Sequence, residues 1–258
     1  NQADLVESQN QPITEEVQSS SSPSAELVSN ETSLENNSNS VSADLQEAYG
    51  AFAQAAAFQD LSEKVYLEND LVKVELAAKG GRVTSVYLKE YQTYDSLPLN
   101  LLREDSSLFN LTFWSQNRRL QTSDFTFETT ESQFGDSQVV SMRLNVQEGK
   151  YLEFAYSLAP NTYKVDYTVN LIGLEDIIQP QNPIELDWSV NVPRQELNKD
   201  NESMNTSAYY FIDGEVDDLS ITSDDSERVS NPDWIAFKSQ YFSTALTTKG
   251  LCKEVLLS

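Results

Sequence analysis

The sequence contains no histidine, a single cysteine, and 17 basic residues against 41 acidic ones, for a formal net charge of −24. Each shortage excludes some chemistry. Without histidine there is no Ser-His or Cys-His nucleophile pair, and the commonest general base and metal ligand are missing. The lone cysteine, Cys252, forms neither an intrachain disulfide nor a thiolate metal site and reads as a small buried hydrophobe. The negative charge repels nucleic-acid phosphates and anionic lipid headgroups. Long hydrophobic runs are missing too: Ala51 to Phe58 is short and interrupted by Gln54, far below the ~20 apolar residues that cross a bilayer. No basic segment followed by an apolar one opens the chain. The Gly80-Gly81 pair is not followed by the Lys-Ser/Thr of a phosphate loop, and no G-x-S-x-G nucleophile motif occurs. No cofactor or metal is expected, and no enzymatic activity. The chain starts without methionine and stops at Leu256-Leu257-Ser258 in a strand-like run, so it reads as a soluble piece of a longer protein.

Residues 1–42 are rich in Ser, Asn, Gln and Glu, and the first basic residue of the whole chain is Lys64. So little apolar surface with so much like charge predicts a disordered acidic linker. From Ser42 to about Gln59 the register changes. Ser42 or Asp44 can cap a helix, and Leu45, Tyr49, Phe52 and Ala56 recur at helical spacing. A short amphipathic helix on the edge of the domain is expected, with a membrane-proximal or partner helix as the alternative.

The stretch Val65 to Tyr94 then reads as strands reversing at two turns, one at Asn69-Asp70 and one at Lys79-Gly80-Gly81. Val72, Val74 and Leu76 alternate with Lys73 and Glu75, giving one dry and one wet face. A polar loop is expected over Tyr91 to Arg103. Beyond it the period is two throughout: Phe109-Leu111-Phe113, Phe125-Phe127, Val140 to Val146, Leu152 to Leu158, Tyr163 to Leu171 and Ile184 to Val190. At least eight strands with turns between them predict an all-β fold of two antiparallel sheets face to face. Residues 43–258 form that domain.

Pro193 to Thr206 is polar. Ala208 to Ile212 reads as a strand closing on the Asp213-Gly214 turn. Asp213 to Glu227 is acidic, yet lacks the central glycine and twelfth-position glutamate of a calcium loop, so a solvated loop is expected. In Asn231 to Leu246, Pro232 suits a first helical position, and Trp234, Phe237 and Tyr241 fall on one helical face. A helical turn leading into a strand at Phe242 is predicted. Trp234, Phe237, Tyr241 and Phe242 are the candidate partner-binding or packing surface. Glu185 and Asp187 share a strand face, but an outward one with nothing to shift their pKa values, so they make a poor acid/base pair. Trp114, Trp188 and Trp234 leave open a carbohydrate-binding sandwich, and a sugar-processing enzyme is the less favoured alternative.

Several motifs, in order, resemble one family. They are Ala48-Tyr49-Gly50-Ala51-Phe52-Ala53, Leu67-Glu68-Asn69 with Lys79-Gly80-Gly81-Arg82-Val83, and Leu88-Lys89-Glu90-Tyr91 with Tyr94. Near the C-terminus come Asp233-Trp234-Ile235-Ala236 and Gln240-Tyr241-Phe242, similar to a W-x-A…Q-x-F signature. Over roughly Ser42 to Leu246 the sequence resembles the large periplasmic domain of the bacterial YidC membrane protein insertases. The resemblance implies a β-supersandwich of mutarotase-like topology with short flanking helices. It also implies a place on the periplasmic side of the inner membrane, and a non-catalytic role in inserting and folding nascent membrane proteins. Sec translocon subunits of the SecD/SecF type are the implied partners. The family's working groove and its arginine belong to the transmembrane core, so no residue here takes that role. The family domain continues beyond the W-x-A…Q-x-F region, so an edge of the sandwich is expected to be missing. Mutarotase-like catalysis relies on histidine, so the fold analogy carries no activity.

Overall fold

The structure, a computed structural model, describes residues 41–59, 64–179, 181–220, 226–249 and 252–258. The linker expected over the first forty residues lies outside them, as do Asp224 and Asp225 of the acidic segment.

The N-terminal helical region forms as predicted. Helix α1 (Ala43–Tyr49) starts at Ser42, whose side chain accepts from the Leu45 amide, and a single 3-10 turn leads into α2 (Ala53–Ala57). Phe52, fully buried, plugs this segment into the core against Phe113 and Phe125.

Strands β1 (Val65–Glu68), β2 (Val72–Ala77), β3 (Arg82–Gln92) and β4 (Pro98–Leu102) make one antiparallel sheet in that order. Part of the expected polar loop is therefore a strand: Leu99 and Leu102 of β4 are buried, and that burial outweighs the Pro98 signal, because proline is tolerated at a strand's first residue. Strands β5 (Ser107–Ser115) and β6 (Arg118–Gln121) follow. Then β7 (Glu128–Phe134), β8 (Ser137–Gln147), β9 (Lys150–Leu158) and β10 (Val165–Ile172) form a meander. Strand β11 (Glu185–Val190) returns to pair with β5, giving a sheet of order β11-β5-β6. Phe125 and Phe127 lie just outside any strand but are fully buried.

A short helix, α3 (Lys199–Met204), interrupts the segment read as a polar loop; Asn198 caps it by accepting from the Asn201 amide. Next come β12 (Ser207–Ile212) and β13 (Glu215–Ser220), joined at Asp213-Gly214 as the sequence indicates. The acidic segment is thus a strand in its first half, because an edge strand tolerates charge on its exposed residues. Strands β14 (Glu227–Ser230), β15 (Trp234–Lys238), β16 (Ser243–Thr247) and β17 (Glu254–Leu257) complete the chain, in sheets ordered β13-β12-β15-β16 and β14-β17.

The fold is all-β and antiparallel, but among the described residues its strands divide among five hydrogen-bonded sheets rather than two. Two cores result. The larger is built from α2, β1 to β5 and the β8–β9–β10 meander, and the smaller centres on Tyr210, Val229 and Leu257. Cys252 is half-exposed instead of buried. Ile184, just ahead of β11, and Leu186 on it also depart from the alternation argument, standing 40% and 37% exposed.

Candidate interaction surface

Strand β3 runs past its pairing with β2, and its last four residues are exposed. A register shift between Leu88 and Gln92 breaks the ladder to β4 there, and such bulges re-aim side chains. Tyr91 leaves the sheet at this bulge. The following loop is held by the Thr93 amide and hydroxyl, which donate to the Leu97 carbonyl at 2.9 and 3.2 Å. Tyr94 and Leu97 are consequently presented to solvent, 46% and 58% exposed.

A second segment meets this loop. The Tyr94 amide donates to the Gln195 carbonyl at 3.0 Å, and the Arg194 guanidinium lies over the Tyr94 ring at 4.8 Å. Arg194 itself is spent on the chain: Nε donates to the Glu196 carbonyl and Nη2 to that of Leu197. Gln195 is buried, its amide donating to the Glu202 carboxylate at 2.9 Å.

The β15–β16 hairpin supplies the third segment. Its tip closes through the Ser239 amide on the Phe242 carbonyl at 2.8 Å. The Ser239 hydroxyl stands 3.1 Å from Gln195 Oε1 and 3.2 Å from the same Phe242 carbonyl. Phe242 packs on the larger core and meets Tyr91 edge-on, ring centroids 5.3 Å apart at 83°. Tyr241 beside it is 68% exposed, and the Gln240 Oε1 is buried without a hydrogen-bond partner. Tyr163, just ahead of β10 and 46% exposed, completes the group. Desolvation by its surroundings, the Tyr91 phenol and the Glu90 carboxylate push its own phenol above the ordinary tyrosine value. Segments more than a hundred residues apart thus meet here: Tyr91 touches Phe242, Tyr94 joins the hairpin tip through Gln195 and Ser239, and the exposed Tyr163 and Tyr241 stand at flanking positions.

Only half of the four candidate residues come together here. Trp234 to Lys238 is a strand paired on both sides, not a helix. Alternation along it sends Trp234 and Phe237 to opposite faces, where Trp234 stacks on Phe211 at 5.7 Å and Phe237 meets Trp188 at 4.7 Å. The helical spacing misled because aromatic residues also favour strands, and neighbours on both sides supplied the ladder. The three tryptophans make no common platform: Trp114 and Trp188 lie on opposite faces of the β11-β5-β6 sheet, and Trp234 is in another sheet. Glu185 and Asp187 are exposed, and Glu185 pairs with Arg119 at 3.2 Å. A separate concavity of about 400 Å³ lies beside α2, lined by Ala55, Phe58, Glu128, Asn145 and Val146. There Asn145 already donates to Glu128 at 2.8 Å. Among the described residues no group of three or more acidic, cysteine or histidine side chains could hold a metal.

Sequence comparison places the chain. The family model of the YidC periplasmic domain matches residues 64–254. The chain belongs to the YidC periplasmic domain family. Among similar proteins, the membrane protein insertase YidC of Parabacteroides distasonis is 37% identical over 224 residues, covering 85% of this chain and 35% of that protein. The YidC of Porphyromonas gingivalis is 37% identical over 203 residues, covering 77% and 32%. That of Azobacteroides pseudotrichonymphae is 32% identical over 241 residues, covering 91% and 38%. The chain therefore spans about a third of the length of the curated relatives it matches. No helix among the described residues is long and apolar enough to cross a membrane. The matched region contains the motifs from Leu67 to Tyr94 and from Asp233 to Phe242 on which the resemblance rested, though not Ala48 to Ala53, and the structure brings Tyr91 and Phe242 of the two into contact.

Proposed function

We propose that this chain is the extracytoplasmic, non-catalytic domain of a membrane protein insertase. It assists the insertion and folding of inner-membrane proteins, alone or beside the Sec translocon, and binds its partner through the aromatic surface around Tyr91, Tyr94 and Tyr241. The observation that carries this reading is the exposure of three tyrosines on hydrogen-bonded segments in a chain of the YidC periplasmic family. Exposed aromatic groups on a fixed scaffold are what interface hot spots are made of. Trp234 and Phe237 act in packing, and Tyr241 and the Phe242 edge face the partner. SecD/SecF-type subunits and nascent chains are the partners this reading favours. Its test is the full-length insertase carrying Tyr91→Ser, Tyr94→Ser and Tyr241→Ser together. Reduced insertion of a membrane protein and reduced co-purification of translocon subunits, at unchanged insertase abundance, support the reading. Wild-type behaviour in both contradicts it.

A further inference from the structure

Carboxylates border the segments that build this surface. Glu90 lies beside Tyr163 and Asp95 follows Tyr94, with Glu196 next to Arg194. None of the three is in an ion pair among the described residues. Three cations in or next to these segments are committed: Arg194 to backbone carbonyls and the Tyr94 ring, and Lys164 and Lys249 both to Asp166, at 2.8 and 3.3 Å. Elsewhere in the chain three tyrosine rings carry one of its own cations: Lys73 over Tyr66 at 4.2 Å, Arg143 over Tyr151 at 4.7 Å and Lys238 over Tyr209 at 5.7 Å. Tyr91, Tyr163 and Tyr241 have no such cover among the described residues.

We infer that this surface takes a cationic, apolar polypeptide segment, whose lysine or arginine side chains lie over the uncovered tyrosine rings. The inference rests on reading the surface as a docking site and names the chemistry of its occupant. Cation–π attraction and the three bordering carboxylates supply the charge preference. Leu97 and Leu197, 58% and 73% exposed and each three residues after a member of the Tyr94–Arg194 stack, offer apolar contact. The net charge of −24 draws cations from a distance. Lipid phosphates suit the same carboxylates poorly.

The test titrates the 258-residue chain with labelled leucine/alanine peptides flanked by lysine, by glutamine or by glutamate, and with phosphatidylcholine vesicles. The lysine peptide is expected to bind at least about tenfold more tightly than the glutamine peptide, with an affinity that falls as salt rises. The glutamate peptide and the vesicles are expected not to bind. Tyr91→Leu with Tyr241→Leu should weaken the lysine peptide about fivefold to tenfold and leave the glutamine peptide unchanged; Glu90→Gln with Asp95→Asn and Glu196→Gln should flatten the salt dependence. Of the five substituted residues four are exposed and Glu196 is half-buried, and an unchanged circular dichroism melt confirms folding. Equal binding of lysine and glutamine peptides, lost in the tyrosine variant, overturns the cationic preference while the docking site stands. Absence of binding by every peptide, or binding of the vesicles in their place, overturns the inference. A docking site of any kind is judged separately, by insertion in the full-length protein.

Discussion

At Gly81 the chain has no room for a side chain. The residue sits at φ +62°, and an added Cβ would stand 2.8 Å from a Phe154 ring carbon and 3.2 Å from Phe127. Its carbonyl accepts from the buried Tyr156 hydroxyl at 2.7 Å, so the β2–β3 turn is locked into the centre of the meander. Gly81→Ala should cost about 2–4 kcal/mol, strain and overpacking together, and chemical denaturation measures it. Gly135 makes the control: it has φ +60° with open space around it, and Gly135→Ala should cost only about 1–2 kcal/mol. Asn69 is a second such residue. Its Oδ1 accepts from the Leu71 and Val72 amides, and its Nδ2 donates to the Ala159 and Thr162 carbonyls. One side chain thus shapes the first turn and ties it to the β9–β10 turn, so Asn69→Ala should destabilise by about 2–3 kcal/mol. For Glu153, burial disfavours the charged form, but hydrogen bonds from Ser141, Arg143 and Asn170 outweigh it and hold the carboxyl below its ordinary value of 4.5. A depressed folded-state pKa contributes stability above the unfolded value that is lost as pH falls through the folded one. Stability should therefore drop as pH falls below about 4.5, and Glu153→Gln should make that drop shallower in melts run across this range.

At the scale of elements, the hairpin from Trp234 to Thr247 explains what the sequence showed and hid. Its period-two neighbours, the Asp213-Gly214 turn and the Gly80-Gly81 turn were all readable, because local backbone chemistry sets them. The β15 strand was not, since Trp234, Phe237 and Tyr241 satisfy helical spacing and only pairing with β12 and β16 decides between the two. Of the interaction surface, Tyr241 and Phe242 were identified as candidates and Tyr91 and Tyr94 as motif residues. Arg194 and Gln195 were invisible, because a buried glutamine in a polar segment has no pattern to mark it. Yet Gln195 links all the pieces: its amide holds Glu202, its carbonyl holds Tyr94 and its Oε1 receives Ser239. Gln195→Ala should loosen this clasp locally. Hydrogen exchange is expected to accelerate at the Tyr94 and Ser239 amides while the β8–β9 amides stay protected.

Across the described residues there are two cores of unequal size, and Phe242, at the tip of the β15–β16 hairpin, packs on the larger one. Four of the exposed tyrosines, Tyr91, Tyr94, Tyr163 and Tyr241, belong to the segments around that contact, and the proposed docking places the partner there. The most direct test places a photo-crosslinking residue at Tyr241, at Tyr94 and, for comparison, at Phe134 in the full-length insertase. Phe134, at the end of β7, is 83% exposed, so exposure alone favours crosslinking there. A polypeptide partner captured from positions 241 and 94 and not from 134 is the predicted result. Equal capture at all three positions, or capture at 134 alone, would contradict it.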